Sequence, residues 1–205
     1  MAQQHPGFAR LYETMMTSLL GRRFMAKLRY KVMSYAYGNV LEVGSGNGMN
    51  FGLYDPAHVQ SVDAVEPDGT MLSFARPRAA AARVPIMLSQ QSAESLAFPD
   101  QSFDCVVVTL VMCSVDDPDT AAKEMYRVLK PGGSLLLFEH VASTSRPIRW
   151  IQDSLVPVTT RLTGNCHWNR ETANTIRDAG FAIREFKNYA GGVHPIIFIR
   201  AERTT

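Results

Sequence analysis

The sequence has no apolar run long enough to cross a bilayer as a helix. Its longest, "CVVVTLVMC" from Cys105 to Cys113 with only Thr109 interrupting, is about half the roughly 20 residues such a span needs. It reads instead as a buried strand and its exit. Cysteine is scarce as well: Cys105, Cys113 and Cys166 are odd in number and show no C-x-x-C spacing, so neither a disulfide framework nor a zinc site is indicated and no metal is expected. A reducing, cytoplasmic compartment is the expectation. The opening "MAQQHPGFAR" lacks a basic region followed by an apolar signal core, so secretion is not expected. An excess of one charge is also missing. With a net charge of only +2 there is no phosphate-binding stripe, and nucleic acid is not expected as a partner. Repeats and low-complexity tracts are absent. At 205 residues and 46% hydrophobic, what remains is a single globular domain over 1–205.

The charge that is present is unevenly placed. In residues 1 to 40, Arg10, Arg22, Arg23, Lys27, Arg29 and Lys31 face only Glu13, which leaves +5 there and −3 over the remainder. Such an asymmetry is either a solvated helix face or an electrostatic handle for an anionic surface. The same stretch reads as helical, with Phe8, Leu11, Tyr12, Met15 and Leu19 as one apolar stripe and Phe24, Leu28 and Val32 as a second after Gly21.

From Asn39 onward strands and helices alternate. Strands are predicted at 40–43, 61–65, 84–89, 104–111 and 134–139, helices near 48–53, 69–80, 118–129, 147–156 and 170–179, and two late strands near 181–187 and 195–201. This alternation implies an α/β fold with parallel strands and helices on both faces. In "DDPDTAAKEMYRVLKPGG" a helix opens with Pro118 in its first turn and is predicted to stop at Pro-Gly-Gly. Asn169 is the expected cap of the next, with Gly180 past its end. The final strands, separated by "NYAGG", form a hairpin on the sheet edge.

The stretch "VLEVGSGNGMN", residues 40 to 50, places Gly44, Gly46 and Gly48 at every second position behind a strand. In an open parallel sheet a ligand sits beyond the carboxyl ends of the strands, where the strand order reverses, and glycines there let it lie against bare backbone. A carboxylate about twenty residues further on is placed to meet a ribose, and Glu66 in "VDAVEPDG" has that position. The spacing G-x-G-x-G is not the G-x-G-x-x-G of dinucleotide sites, and no Lys follows as a phosphate loop requires. A ligand without phosphates tolerates the tighter turn.

"VLEVGSGNG", "VDAVEPDGTML", "SAESLAFPDQSFDCVVV" and "EMYRVLKPGGSLLLFEH", in that order and spacing, resemble the class I S-adenosylmethionine-dependent methyltransferases, in particular the type 11 group. The resemblance covers about residues 38 to 141. It implies a Rossmann-like, mostly parallel seven-stranded sheet, with a helical lid at 1–37, a cofactor-binding core at 38–141, and acceptor-side helices with the C-terminal hairpin at 142–205. It also implies S-adenosylmethionine as cofactor. By position, Glu42 and the loop Gly44, Ser45, Gly46, Asn47 and Gly48 contact its methionine part, Glu66 holds both ribose hydroxyls with Pro67 beside the adenine, Ser92 and Ala93 lie at the adenine edge, and Leu110 lies near the methionine end.

Methyl transfer from a sulfonium is an in-line displacement, so the protein mainly aligns the acceptor and excludes water. A thiol or ammonium acceptor must also lose a proton. Two places supply a group for that: "TLVMCSVDD", with Cys113, Ser114 and Asp116, and "FEH", with Glu139 and His140. His140 is the preferred general base because histidine titrates near neutrality; the alternative is a histidine that ties down the following loop. Cys113 lines the site as a small apolar residue rather than acting as a nucleophile. "GNCHWNRET", residues 164 to 172, is either a loop over the acceptor or the connector into a capped helix.

No N-P-P-Y or D-P-P-Y block follows the fourth strand, which argues against exocyclic amines of nucleic acid as acceptors. "TLVMCSV", "FEHV", the Trp150 to Gln152 stretch and "GNCHWNRET" look like the animal alkyl-thiol S-methyltransferases and their bacterial relatives, which include phospholipid and quinone methyltransferase-like sequences. This second resemblance implies a small or lipid-like acceptor, a thiol first. The hydrophobic N-terminal anchor of the animal enzymes is not expected in this chain. Residues 8–33 are expected to close over the cofactor, or else to rest peripherally on an anionic bilayer. The other classes kept open are a catalytically silent cofactor-binding adaptor and a nicotinamide-dependent oxidoreductase, the latter disfavoured by the glycine spacing.

Overall fold

The computed structural model describes residues 6–17, 19–162, 165–190 and 195–204. Two helices, α1 (Pro6–Thr17) and α2 (Leu19–Met33), precede an alternating core of β1 (Gly38–Val43), β2 (Val59–Val65), α3 (Gly69–Ala80), β3 (Ile86–Ser89), β4 (Phe103–Thr109), α4 (Pro118–Val128) and β5 (Leu129–His140). The chain then runs through α5 (Arg146–Leu162), α6 (Thr172–Asp178), β6 (Phe181–Ala190) and β7 (Ile196–Arg203). One seven-stranded sheet results, in the order β3-β2-β1-β4-β5-β7-β6. The first five strands run parallel, while β7 pairs antiparallel with both β5 and β6. The expected edge hairpin is therefore present, with its second strand inserted next to β5.

Strands buried on both faces read as continuous apolar runs, and Cys105 to Val108 of β4 are fully buried. Side chains alternate across the sheet. Leu41 and Val43 of β1 pack with Ala121, Met125 and Ile176 from α4 and α6 on one face. Val40 packs with Val32, Met33 and Ala75 from α2 and α3 on the other. The helix starts have side-chain caps: Asp68 accepts from the Thr70 and Met71 amides at 2.7 and 3.2 Å, and Asp117 accepts from Asp119 and Thr120, both at 3.1 Å, an N-cap arrangement that satisfies otherwise orphaned donors.

Three local expectations are corrected. Residues 48–53 form turns and a short 3-10 helix at Phe51–Leu53 rather than an α-helix. Helix α4 ends at Val128 with Leu129 already extended, so Pro-Gly-Gly lies inside β5, at a register shift against β4, and does not stop the helix. The cap position of α6 is Glu171, and Asn169 instead donates to Asp153 at 2.8 Å. Gly21 lies within α2. The side chains of Phe8, Met15, Leu19, Arg22, Arg23 and Phe24 are outside the described residues, as are Gly164, Gly191 and Gly192.

A polar network lies inside the α2 and α3 side of the sheet. Glu42 is 1% exposed and accepts from Asn50 Nδ2 at 2.9 Å and the Tyr54 hydroxyl at 2.7 Å. Arg29, also buried, donates to Asn50 Oδ1 at 2.8 Å and Thr109 Oγ1 at 3.3 Å. It is thus a core residue, not part of a solvated basic face. Burial drives the Glu42 carboxyl up to about 7, against the opposing hydrogen bonds from Tyr54 and Asn50 and the charge of Arg29. On the acceptor side, buried Gln152 of α5 joins three segments: its Oε1 accepts from the Ser143 amide at 2.7 Å, and its Nε2 donates to the carbonyls of Val141 and Trp168, both at 3.2 Å.

Replacing Gln152 by Leu leaves those backbone groups without their partner. Urea denaturation is expected to show a stability loss of at least about 2 kcal/mol; a loss under about 0.5 kcal/mol would refute the role. For Glu42 the folded form holds its proton above the unfolded value. Its contribution is therefore present at low pH and is lost as pH rises toward about 7, by up to about 1.4 kcal/mol per pH unit. Thermal unfolding of Glu42→Gln should gain on the native chain between pH 5 and pH 8, whereas a difference constant with pH contradicts the assignment.

Candidate active site

The strand order reverses between β1 and β4, since β2 and β3 continue to one side and β5 to the other. A crevice opens beyond the carboxyl ends of those two strands. The loop after β1 lines it, and its three glycines are there for different reasons. All have positive φ: 64° at Gly44, 55° at Gly46 and 79° at Gly48. A Cβ on Gly44 would meet the Val111 side chain at 2.4 Å and one on Gly48 the Phe51 ring at 2.6 Å, whereas at Gly46 nothing lies within 4 Å. Gly44 and Gly48 are thus bare to admit the chain's own side chains. Only Gly46 faces open space.

Glu66, just past β2, reaches across to this loop. Its carboxylate accepts from the Gly46 amide at 2.9 Å and the Asp68 amide at 3.0 Å. Burial raises its pKa against those two amides. A carboxylate has about four acceptor sites, so capacity remains for two hydroxyls. The open space at Gly46 beside that carboxylate fits a ribose-bearing ligand. Glu42, by contrast, lies behind the loop with both oxygens taken by Asn50 and Tyr54. Ser45 is buried and its amide donates to the Val65 carbonyl at 3.0 Å. Pro67 accepts from Gln90 at 2.9 Å through its carbonyl. Ala93 is buried, and the Ser92 hydroxyl is engaged by Glu94.

Helix α1 is tied to the same loop. Asn47 donates to Glu13 of α1 at 2.6 Å, and Arg78 of α3 pairs with Glu13 at 2.6 Å while donating to the Asn47 carbonyl at 2.7 Å. The sequence gives no sign of Arg78, Asn50 or Tyr54 at this site, and shows Glu13 and Arg29 only as charges of the N-terminal segment.

Beyond β4 the backbone is strained. Leu110 adopts φ 61°, a region costly for a residue with a branched side chain and concentrated at functional sites. The turn is held by Glu139, whose Oε1 accepts from the Val111 and Met112 amides at 2.6 and 2.9 Å. Glu139 is fully buried, and its Oε2 has no hydrogen-bond partner among the described residues. Burial pushes its pKa well up, and the charge of Cys113 adds to this.

Next to this turn the structure brings together Cys113, His140 and Cys166, whose ligating atoms all lie within 4.8 Å of one another. Residue spacing gave no sign of this cluster, because its members come from three separate segments. Two of the three cysteines thus meet a histidine, a proximity that cysteine spacing alone does not reveal. The segment after α5 is drawn onto the site: the His167 amide donates to the Cys113 carbonyl at 2.6 Å and Arg170 to the Met112 carbonyl at 2.6 Å. Cys166 is held toward the thiolate by the hydrogen bond from Cys113, aided by Ser114 and Arg170 against burial. For His140, burial alone would lower the pKa, but the hydrogen bond with Cys113 and the charges of Cys113 and Glu139 outweigh it and the net shift is upward.

Residues 41–137 match the family model of a methyltransferase domain. The chain is 37% identical over 150 residues to a thiol S-methyltransferase of Rattus norvegicus, covering 70% of this chain and 59% of the relative. It is 33% identical over 120 residues to a phosphatidylethanolamine N-methyltransferase of Cereibacter sphaeroides, covering 58% of each. The chain therefore spans little more than half the length of these curated relatives. A solved S-adenosylmethionine-dependent methyltransferase from Thermotoga maritima superposes with a TM-score of 0.70 at 25% identity, over 97% of both chains. Sheet order, glycine loop and these likenesses agree, and the chain belongs to the class I S-adenosylmethionine-dependent methyltransferases.

Proposed function

We propose that this chain transfers a methyl group from S-adenosylmethionine to the sulfur of a small thiol. When bound, S-adenosylmethionine supplies an electrophilic methyl on a sulfonium that is already a good leaving group. The chain's own part is placement. In this reading Gly46 leaves room for the ligand against the backbone, Glu66 accepts from the ribose hydroxyls, and Leu110 turns the backbone away at the methionine end. Gly44, Ser45, Asn47 and Gly48 shape the loop, with Glu42 behind it, and Pro67, Ser92 and Ala93 border the adenine. Helix α1, tied through Glu13, covers the loop and excludes water.

The observation that carries the thiol reading is geometric: His140 meets Cys113 and Cys166 at the candidate site, their ligating atoms within 4.8 Å of one another, beside Arg170, which donates to the Met112 carbonyl at 2.6 Å. A cationic neighbour lowers the pKa of a thiol and so favours its nucleophilic anion. The name of the rat relative agrees in kind.

A second reading, transfer to the amine of a phospholipid, has its own support. Helix α5 leaves Trp150, Leu155 and Val158 exposed at 71, 42 and 58%, an apolar stripe suited to a bilayer interface. No helix among the described residues is long and apolar enough to cross a membrane, so contact in this reading is peripheral.

With S-adenosylmethionine present, methyl transfer to a small alkyl thiol is expected, and none to phosphatidylethanolamine vesicles. Transfer to vesicles alone would replace the first reading by the second. Calorimetry should show Glu66→Ala binding S-adenosylhomocysteine more than about tenfold weaker, since each charged hydrogen bond lost costs about 1.5 kcal/mol or more. Retained circular dichroism excludes misfolding, and unchanged affinity would remove Glu66 from the site.

A further inference from the structure

Two thiols and an imidazole converging on one point are a donor set, whatever else they do. Cys113 is buried, while His140 and Cys166 are partly exposed, and their ligating atoms lie within 4.8 Å of one another. In a tetrahedral site with metal–sulfur bonds of about 2.3 Å and metal–nitrogen bonds of about 2.0 Å, neighbouring ligand atoms sit about 3.5 Å apart. A modest inward movement therefore closes the set around one ion. Thiolate and imidazole select a borderline to soft divalent metal over magnesium or calcium. Three protein ligands with an open fourth position characterise a catalytic rather than a structural zinc site.

The framework is built to hold these donors. Cys113 follows the turn fixed by Glu139, and its own carbonyl is bound by the His167 amide. Cys166 is held between Asn165, which donates to the Ser114 carbonyl at 3.0 Å, and that same His167 amide. His140 ends β5, paired with Ile196 of β7.

We propose that Cys113, His140 and Cys166 bind a zinc ion, and that its fourth position takes the acceptor thiol. This rests on the thiol reading of the same site. A monothiol R–SH displaces the bound water, a sulfur–zinc bond forms, and the thiol proton leaves with that water as hydronium. Coordination deprotonates the sulfur, so no residue has to act as base, and His140 is a ligand.

The test uses the full chain, kept reduced with a phosphine, stripped of metal and titrated with Co2+. One equivalent is expected to bind with thiolate-to-cobalt charge-transfer absorption and the intense visible bands of tetrahedral cobalt, both abolished by one equivalent of Zn2+. Cys113→Ser and Cys166→Ser should each remove at least half of the charge-transfer intensity, and His140→Ala should weaken Co2+ at least tenfold. His58→Ala, exposed and remote in sequence from the cluster, should change neither. Retained S-adenosylhomocysteine binding shows that the variants fold. 2-Mercaptoethanol should then shift the charge-transfer band and release one proton per site. A weak octahedral spectrum indifferent to the cysteine variants overturns the site, and a band that the monothiol does not move overturns the open position. Both outcomes are independent of the acceptor assay: transfer to vesicles alone sinks the thiol reading while the cobalt spectrum judges the metal.

Discussion

Two neighbouring parallel strands whose continuations depart in opposite directions leave a gap that no side chain of the sheet can fill. That constraint, at the carboxyl ends of β1 and β4, organises the rest of the molecule. Loops leaving the parallel strands line the candidate site, and the segment between α5 and α6 is drawn onto them. The polar residues beneath it stabilise those loops in shapes that regular structure would not adopt. Left-handed backbone at Gly44, Gly46, Gly48 and Leu110 is concentrated there, where surrounding contacts over-determine it.

The two halves of the crevice are held by different means. On the cofactor side, buried Glu42, Asn50, Tyr54 and Arg29 connect β1, the loop and α2 in one network. Such a network is costly if any member is lost, because each remaining polar group is then left unpaired in a low dielectric. On the acceptor side, Glu139 secures the turn after β4 and Gln152 secures the segments after β5 and before α6. The resulting site brings together two thiols, an imidazole and, in Arg170, a guanidinium group.

A glycine-rich sequence is commonly taken as a record of where a ligand lies. Here, two of the three glycines are required by Val111 and Phe51, and only Gly46 opens outward. Likewise Arg29, one of six basic residues near the start of the chain, is a core residue because Asn50 and Thr109 accept its hydrogen bonds. Residue type alone distinguishes neither case. Both depend on what the rest of the chain places nearby.

The sequence by itself determined the alternating architecture, the edge hairpin, the glycine loop and Glu66, because hydrophobic period, turn residues and motif spacing are local properties carried along the chain. It misplaced the cap of α6 and the end of α4, where tertiary contacts of Asn169 with Asp153 and the pairing of Leu129 with β4 outweigh local preference. Only the tertiary structure brought Cys166 to Cys113 and His140, joined Glu13 to Asn47 and Arg78, and put Glu42 beneath the loop. Those meetings join residues from separate segments, and their proximity is set by how the sheet and its helices pack rather than by any interval in the sequence.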